Sequence, residues 1–146
     1  PVLLKGIVHP DDARQARDAG IAAVVVSNHG GRTLDTVVPA ASALPRIVEA
    51  LAGTMPVLVD GGIRRGTDVL KAVALGASAV LIGRPYIHGL ANAGAVGVAH
   101  VLRLLRDELE IAMALSGCAR LADAGTALLQ HTNGGWMPAS AYKSEA

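Results

Sequence analysis

Six consecutive residues, Ser27-Asn28-His29-Gly30-Gly31-Arg32, set a titratable base and a fixed cation in one glycine-rich loop. Histidine suits proton transfer, because neutral imidazole is available near pH 7. Arginine presents a planar fork that can grip a carboxylate through two charge-assisted hydrogen bonds. Packing needs neither group at the end of the aliphatic run Ile21–Val26. Two later clusters, Asp60-Gly61-Gly62-Ile63-Arg64 and Gly83-Arg84, have a different character. Gly61, Gly62 and Gly83 let backbone N–H groups approach an anion closely, and Arg64 and Arg84 add bidentate cations, a combination suited to phosphate.

Strands and helices must bring these groups together. Val2–Leu4 read as a strand ended by Lys5-Gly6, and His9-Pro10-Asp11-Asp12 offers a cap and an acidic first turn for a helix over Pro10–Ala19. Gly20 stands where a helix C-cap glycine belongs, and Ile21–Val26 form the second strand. The loop Ser27–Val38 is long for a strand-to-helix connection, as functional loops tend to be. A helix over Ala41–Leu51 follows, with Leu44, Ile47, Val48 and Leu51 at helical spacing and Gly53 at its end. Pro56–Val59 make the third strand, Thr67 or Asp68 caps a third helix stopped by Gly76, and Ala79–Ile82 make the fourth strand. A short helix over Tyr86–Ala93 precedes a long amphipathic one over Val98–Leu115. Its Val98, Val101, Leu102, Leu105, Leu109 and Ala112 form a core-facing stripe, and Arg103–Asp107 and Arg106–Glu110 are i,i+4 pairs outside it. Residues 119–146 read as a C-terminal tail, solvated or docked on a partner from Pro138 onward.

Half of the 146 residues are hydrophobic, yet there is no phenylalanine, one tryptophan and two tyrosines. The core must therefore be aliphatic, which favours an α/β protein with buried parallel strands. One domain, residues 1–146, is expected at this length. A formal net charge of +1 without charge blocks or stacking aromatics argues against nucleic acid. The lone Cys118 excludes an internal disulfide and reads as a small buried residue. No signal peptide or membrane-length apolar run is apparent, so a cytoplasmic protein is expected. The chain opens directly on a strand at Pro1, which suggests processing or an upstream segment.

Alternating strands and helices with short connections make a parallel sheet with right-handed crossovers. A doubly wound open sheet and a (β/α)8 barrel both fit. All four strands end in polar or glycine clusters, and in a parallel sheet these share one edge, the face on which barrels carry their active sites. Barrels often bind phosphate in the loops after strands 7 and 8, so the strands here would be strands 5 to 8. Four strands cannot close a barrel, and an open sheet leaves two bare edges; a complementary half is therefore expected.

Weighed singly, most of these residues have plainer readings. A loop histidine is more often structural than catalytic, and only the Gly-Gly-Arg setting and the shared edge reverse this for His29. His9, His88, His100 and His131 lack such a setting. Lys5 alone would be a solvated strand-end lysine, Asp60 a turn cap, and Arg65 a residue facing solvent or a partner. No metal site and no role for Trp136 are assigned.

With Leu34-Asp35, Arg65-Gly66-Thr67-Asp68, Ile82 and Pro85 flanking them, the three clusters and Lys5 together resemble the FMN-dependent α-hydroxy acid oxidase and dehydrogenase family, over about Pro1–Arg120. The resemblance implies a TIM barrel that binds FMN, with this chain as its C-terminal half. It implies His29 as the active-site base, Arg32 on the substrate carboxylate, and Lys5 facing the flavin N1 and O2 region. Ser27, Asp60, Gly62, Arg64, Gly83 and Arg84 would contact the cofactor, the last five around its ribityl and phosphate groups, with Gly61 in the same cradle. The implied reaction is oxidation of a small 2-hydroxy acid to the 2-keto acid in a homo-oligomer, and the alanine-rich composition and tail are compatible with a mandelate or hydroxymandelate oxidase. The family's N-terminal half supplies tyrosines for the substrate, an aspartate for the histidine and part of the flavin bed; none is assignable here. Two other readings stay open: another phosphate-binding barrel enzyme, such as a nucleotide dehydrogenase or flavin-dependent isomerase, and a half barrel that binds flavin or phosphate without catalysis.

Overall fold

Aliphatic runs separated by amphipathic ones dictate a layered arrangement, and the computed structural model, which describes residues 1–130, has one. The elements are β1 (Leu3–Ile7), α1 (Pro10–Asp18), β2 (Ala23–Val26), α2 (Ala40–Leu51), β3 (Val57–Val59), α3 (Gly66–Ala74), β4 (Ala79–Val80) and α4 (Arg84–Leu115). Short 3-10 turns occupy His29–Gly31, Leu121–Asp123 and Thr126–Leu128. His131, Trp136 and the Pro138–Ala146 tail lie outside the described residues.

The sheet is wholly parallel in the order β1-β2-β3-β4. Val24 and Val26 of β2 align with Val57 and Val59 of β3, and all four face the helices in one core with Ala13, Ala16, Leu44, Ile47 and Leu51. Burying each large aliphatic side chain contributes about 1.5–3 kcal/mol, enough to hold α2 although Pro45 removes a backbone donor inside it. On the opposite face, Lys5, Val25, Leu58 and Ala79 share one register row.

Several element limits differ from the sequence expectation by a residue or two, and three of the differences bear on the site. β1 runs on to Ile7 because Gly6, at φ 101°, forms a bulge that shifts the register between Lys5 and Ile7. Lys5 is thus a strand residue. β4 is only two residues long, paired on one side alone. α4 begins at Arg84, since Pro85 in the first turn needs no N–H partner. The expected gap between two helices survives as a break at Ala93 and Gly94 (φ −146° and 57°).

The α4 stripe is a correction. Val98, Val101, Leu105, Leu109 and Ala112 are only half-buried, Leu102 is 51% exposed, and no α4 residue is fully buried. Among the described residues the helix packs mainly against α3, so the stripe is half-covered. The Arg103–Asp107 and Arg106–Glu110 pairs form as expected, at 3.7 and 2.7 Å, and Cys118 is buried. Both sheet edges carry exposed apolar side chains: Val2, Leu3 and Leu4 at β1 and Leu81 beyond β4. Among the described residues no helix is long and apolar enough to cross a membrane.

Candidate functional site

The carboxyl ends of the strands define one edge, and backbone pairing aligns its polar residues. Ser27 follows β2, and its N–H donates to Ile7 O at 3.3 Å; Asp60 follows β3, and its N–H donates to Val26 O at 3.0 Å. Ser27 is buried, and its Oγ accepts from Lys5 Nζ at 2.9 Å and from the His29 N–H at 3.1 Å. Lys5 Nζ also lies 2.9 Å from Asp60 Oδ2, so one ammonium ties three adjacent strands. The other carboxylate oxygen, Asp60 Oδ1, is buried without a hydrogen-bond partner among the described residues.

The loop after Ser27 turns at once. Asn28 Oδ1 accepts from the Gly30 N–H at 3.1 Å and Asn28 O from the Gly31 N–H at 3.0 Å, closing the turn that carries His29. His29 itself has φ 55°, a left-handed conformation that costs a non-glycine residue energy and recurs at functional sites. Its imidazole lies over the β1 bulge, where a Cβ on Gly6 would fall 2.8 Å from His29 Nε2. Sequence spacing gave no sign of this contact.

On the far side, Gly61 and Gly62 turn the chain after β3 at φ 92° and 82°, a conformation open to glycine. A Cβ on Gly62 or Gly83 would meet nothing within 4 Å, so both backbones stand open. Asp68 Oδ2 accepts from the N–H groups of Arg64 and Arg65 at 2.9 and 3.0 Å, which makes Asp68, rather than Thr67, the capping group of α3.

A cleft of about 850 Å³ joins both sides. Lys5, His29, Arg32, Asp60, Gly61, Gly62, Arg64, Gly83 and Arg84 all line it, as the sequence leads one to expect. Ser27 stands one layer back, beneath Lys5 and His29. Arg65 is exposed and outside the lining. Sequence reasoning missed His88, which joins the lining with Ile87 because α4 starts directly after Gly83. His9 has a structural task, its Nδ1 accepting from the Asp11 N–H at the start of α1.

Arg32, Arg64 and Arg84 are exposed to this cleft and, among the described residues, pair with no carboxylate. A cleft so furnished can hold a dianion at one end and a carboxylate beside a base at the other. Among the described residues no group of three His, Cys, Asp or Glu side chains could hold a metal ion.

Comparison with known proteins points the same way. The model of the FMN-dependent dehydrogenase family matches residues 1–131. The chain belongs to that family. It is 57% identical over 129 residues to an L-lactate oxidase of a Nostoc species, covering 88% of this chain and 35% of the relative. It is 57% identical over 123 residues to a peroxisomal (S)-2-hydroxy-acid oxidase of Oryza sativa subsp. japonica, covering 84% and 34%. Among solved family structures, mandelate oxidase with (S)-4-hydroxymandelic acid matches with a TM-score of 0.83 at 57% identity, covering 85% of this chain and 35% of that one. A mandelate oxidase mutant with a monooxide FMN adduct matches equally well, with 40% of its chain covered. The chain therefore spans about a third of the length of the relatives it matches.

Proposed function

We propose that this chain is the C-terminal half, strands 5 to 8, of an FMN-binding (β/α)8 barrel that oxidises a small 2-hydroxy acid to the 2-keto acid. The observation that carries the proposal is the cleft in which His29, Lys5 and three arginines that pair with no carboxylate among the described residues meet at one sheet edge. The residues fit a flavin mononucleotide. Gly62 and Gly83 leave room for a phosphate at the backbone, Arg64 and Arg84 supply its countercharge, and the buried Asp60 Oδ1, without a donor among the described residues, could accept from a ribityl hydroxyl.

Removing two electrons and two protons from a hydroxy acid requires a carboxylate anchor, a base and an electron acceptor. Arg32 anchors the substrate carboxylate and so fixes which carbon faces His29. A ring nitrogen of His29 takes a proton from the substrate. Lys5, held by Ser27 and Asp60, places a positive charge at the wall of the cleft. FMN held in the cleft would take up the two electrons and the second proton. Ser27 acts through Lys5 and His29, and Gly61 shapes the turn beside Asn28.

Support for the missing half comes from the exposed Leu3 and Leu81 on opposite edges of the sheet. A complementary set of four strands, from the same precursor or a second chain, covers both. The assembled barrel works as a homo-oligomer in the cytoplasm.

The test uses the complete protein. Anaerobic addition of lactate, glycolate or mandelate should bleach the flavin absorption, and failure of all three would refute this reading.

A further inference from the structure

Arg64 and Arg84 can grip one phosphate only if the distance between them is set, and they sit on different elements. We propose that Glu108, on the far part of α4, is a positioning residue that sets it. This rests on the phosphate role proposed above for the two arginines.

Arg84 is the first residue of α4. Arg64 belongs to the segment between β3 and α3, anchored at one end by the buried Ile63. At the other end the Gly66 N–H donates to Glu108 Oε2 at 2.8 Å, across 42 residues of sequence. A carboxylate suits the start of a helix, where free N–H groups and the dipole favour negative charge. The contact is also steric: a Cβ on Gly66 would lie 2.0 Å from Leu109 N and 2.4 Å from Glu108 C, so α3 meets the α4 backbone with no space for a side chain. Within α4 the two parts flanking the break touch at Gly97 and Gly89, where a Cβ on Gly97 would fall 1.9 Å from Gly89 O. One helix thus begins with one arginine and, through Glu108, holds the segment that carries the other.

Charge alone predicts the opposite sign. A carboxylate near a phosphate repels it, so removing Glu108 should tighten FMN if only Coulomb forces acted. Positioning predicts loss. The complete apoprotein would be titrated with FMN and with riboflavin, which lacks the phosphate, following quenching of flavin fluorescence. Glu108→Ala should weaken FMN by about tenfold or more, the scale of a charge-assisted hydrogen bond, and leave riboflavin unchanged. Glu108→Gln keeps an acceptor for Gly66 and should bind FMN within about threefold of wild type. Glu108→Asp keeps the charge, falls short of Gly66, and should behave like the alanine variant; it also serves if Glu108→Ala fails to fold. Unchanged or tighter FMN binding in the alanine and aspartate variants overturns the proposal. So does equal weakening of FMN and riboflavin, or a glutamine variant as poor as alanine. A wild-type protein with no preference for FMN over riboflavin would instead sink the phosphate reading itself, and this inference with it.

Discussion

The contact between Gly6 and His29 yields the sharpest prediction. Replacing Gly6 with alanine adds one methyl group 2.8 Å from His29 Nε2 and 3.3 Å from Cε1. Comfortable separation for such atoms is about 3.5 Å or more, so the ring must retreat by roughly 0.7 Å. Displacement of a catalytic group by about 1 Å costs on the order of 10²-fold in rate, or about 2.7 kcal/mol of transition-state stabilisation. A loss of about 10- to 100-fold in kcat/KM is therefore expected. Alanine at φ 101° adds strain of about 1–3 kcal/mol to folding, seen as a lower melting temperature. The assay pairs steady-state turnover of a 2-hydroxy acid with FMN titration, because the bulge lies away from Arg64 and Arg84. Turnover within about threefold of wild type would refute the reasoning, since a ring placed over Gly6 cannot escape the methyl group. A fall matched by an equal loss of FMN affinity would also refute it, by making Gly6 a general support of the cleft.

Other substitutions test other parts of the structure. Arg32→Met should lower kcat/KM for 2-hydroxy acids by about 10²-fold or more, since each charge-assisted bond to a carboxylate is worth about 1.5–3 kcal/mol, while FMN binding stays unchanged. Ile47→Ala empties a fully buried site between sheet and α2 and should destabilise the complete protein by about 2–5 kcal/mol, read as a lower urea midpoint at constant slope. Hydrogen bonds from Arg120 hold the Asp123 carboxyl below the usual carboxylate range. A depressed folded value stabilises above the ordinary carboxylate range and fades as pH falls through the folded value, so Arg120→Ala should move the Asp123 titration, followed by NMR, upward.

Much of this architecture is legible in the sequence, because Leu44, Ile47 and Leu51 or Val57, Leu58 and Val59 leave few alternatives to a helix and a buried strand. The residues lining the cleft are legible for a related reason: parallel strands put every strand end on one edge, so reading the ends reads the site. What escaped depends on three-dimensional approach. The Gly6 bulge turns on a single φ angle, the Glu108–Gly66 bond joins residues 42 apart, and His88 enters the lining because α4 starts directly after Gly83 and carries it back over the cleft. The α4 stripe misled because amphipathic spacing shows that a face seeks cover without showing how much cover the described residues supply.

The hydrogen bonding of the strand edge sorts its polar groups into two kinds. Lys5, Ser27, Asn28, Asp68 and Glu108 each find a partner on a neighbouring strand, turn or helix, and together they fix the positions of His29 and the arginine-bearing segments. Arg32, Arg64, Arg84 and Asp60 Oδ1 find none among the described residues. A buried acceptor left unpaired costs about 1–3 kcal/mol, and three cations gathered around one cleft repel one another. A fold that kept these groups for stability alone would gain from pairing or removing them. An anion between Arg64 and Arg84, a hydroxyl on Asp60 Oδ1 and a carboxylate on Arg32 would relieve both costs at once. The satisfied groups are thus the frame, and the unsatisfied ones describe the ligand.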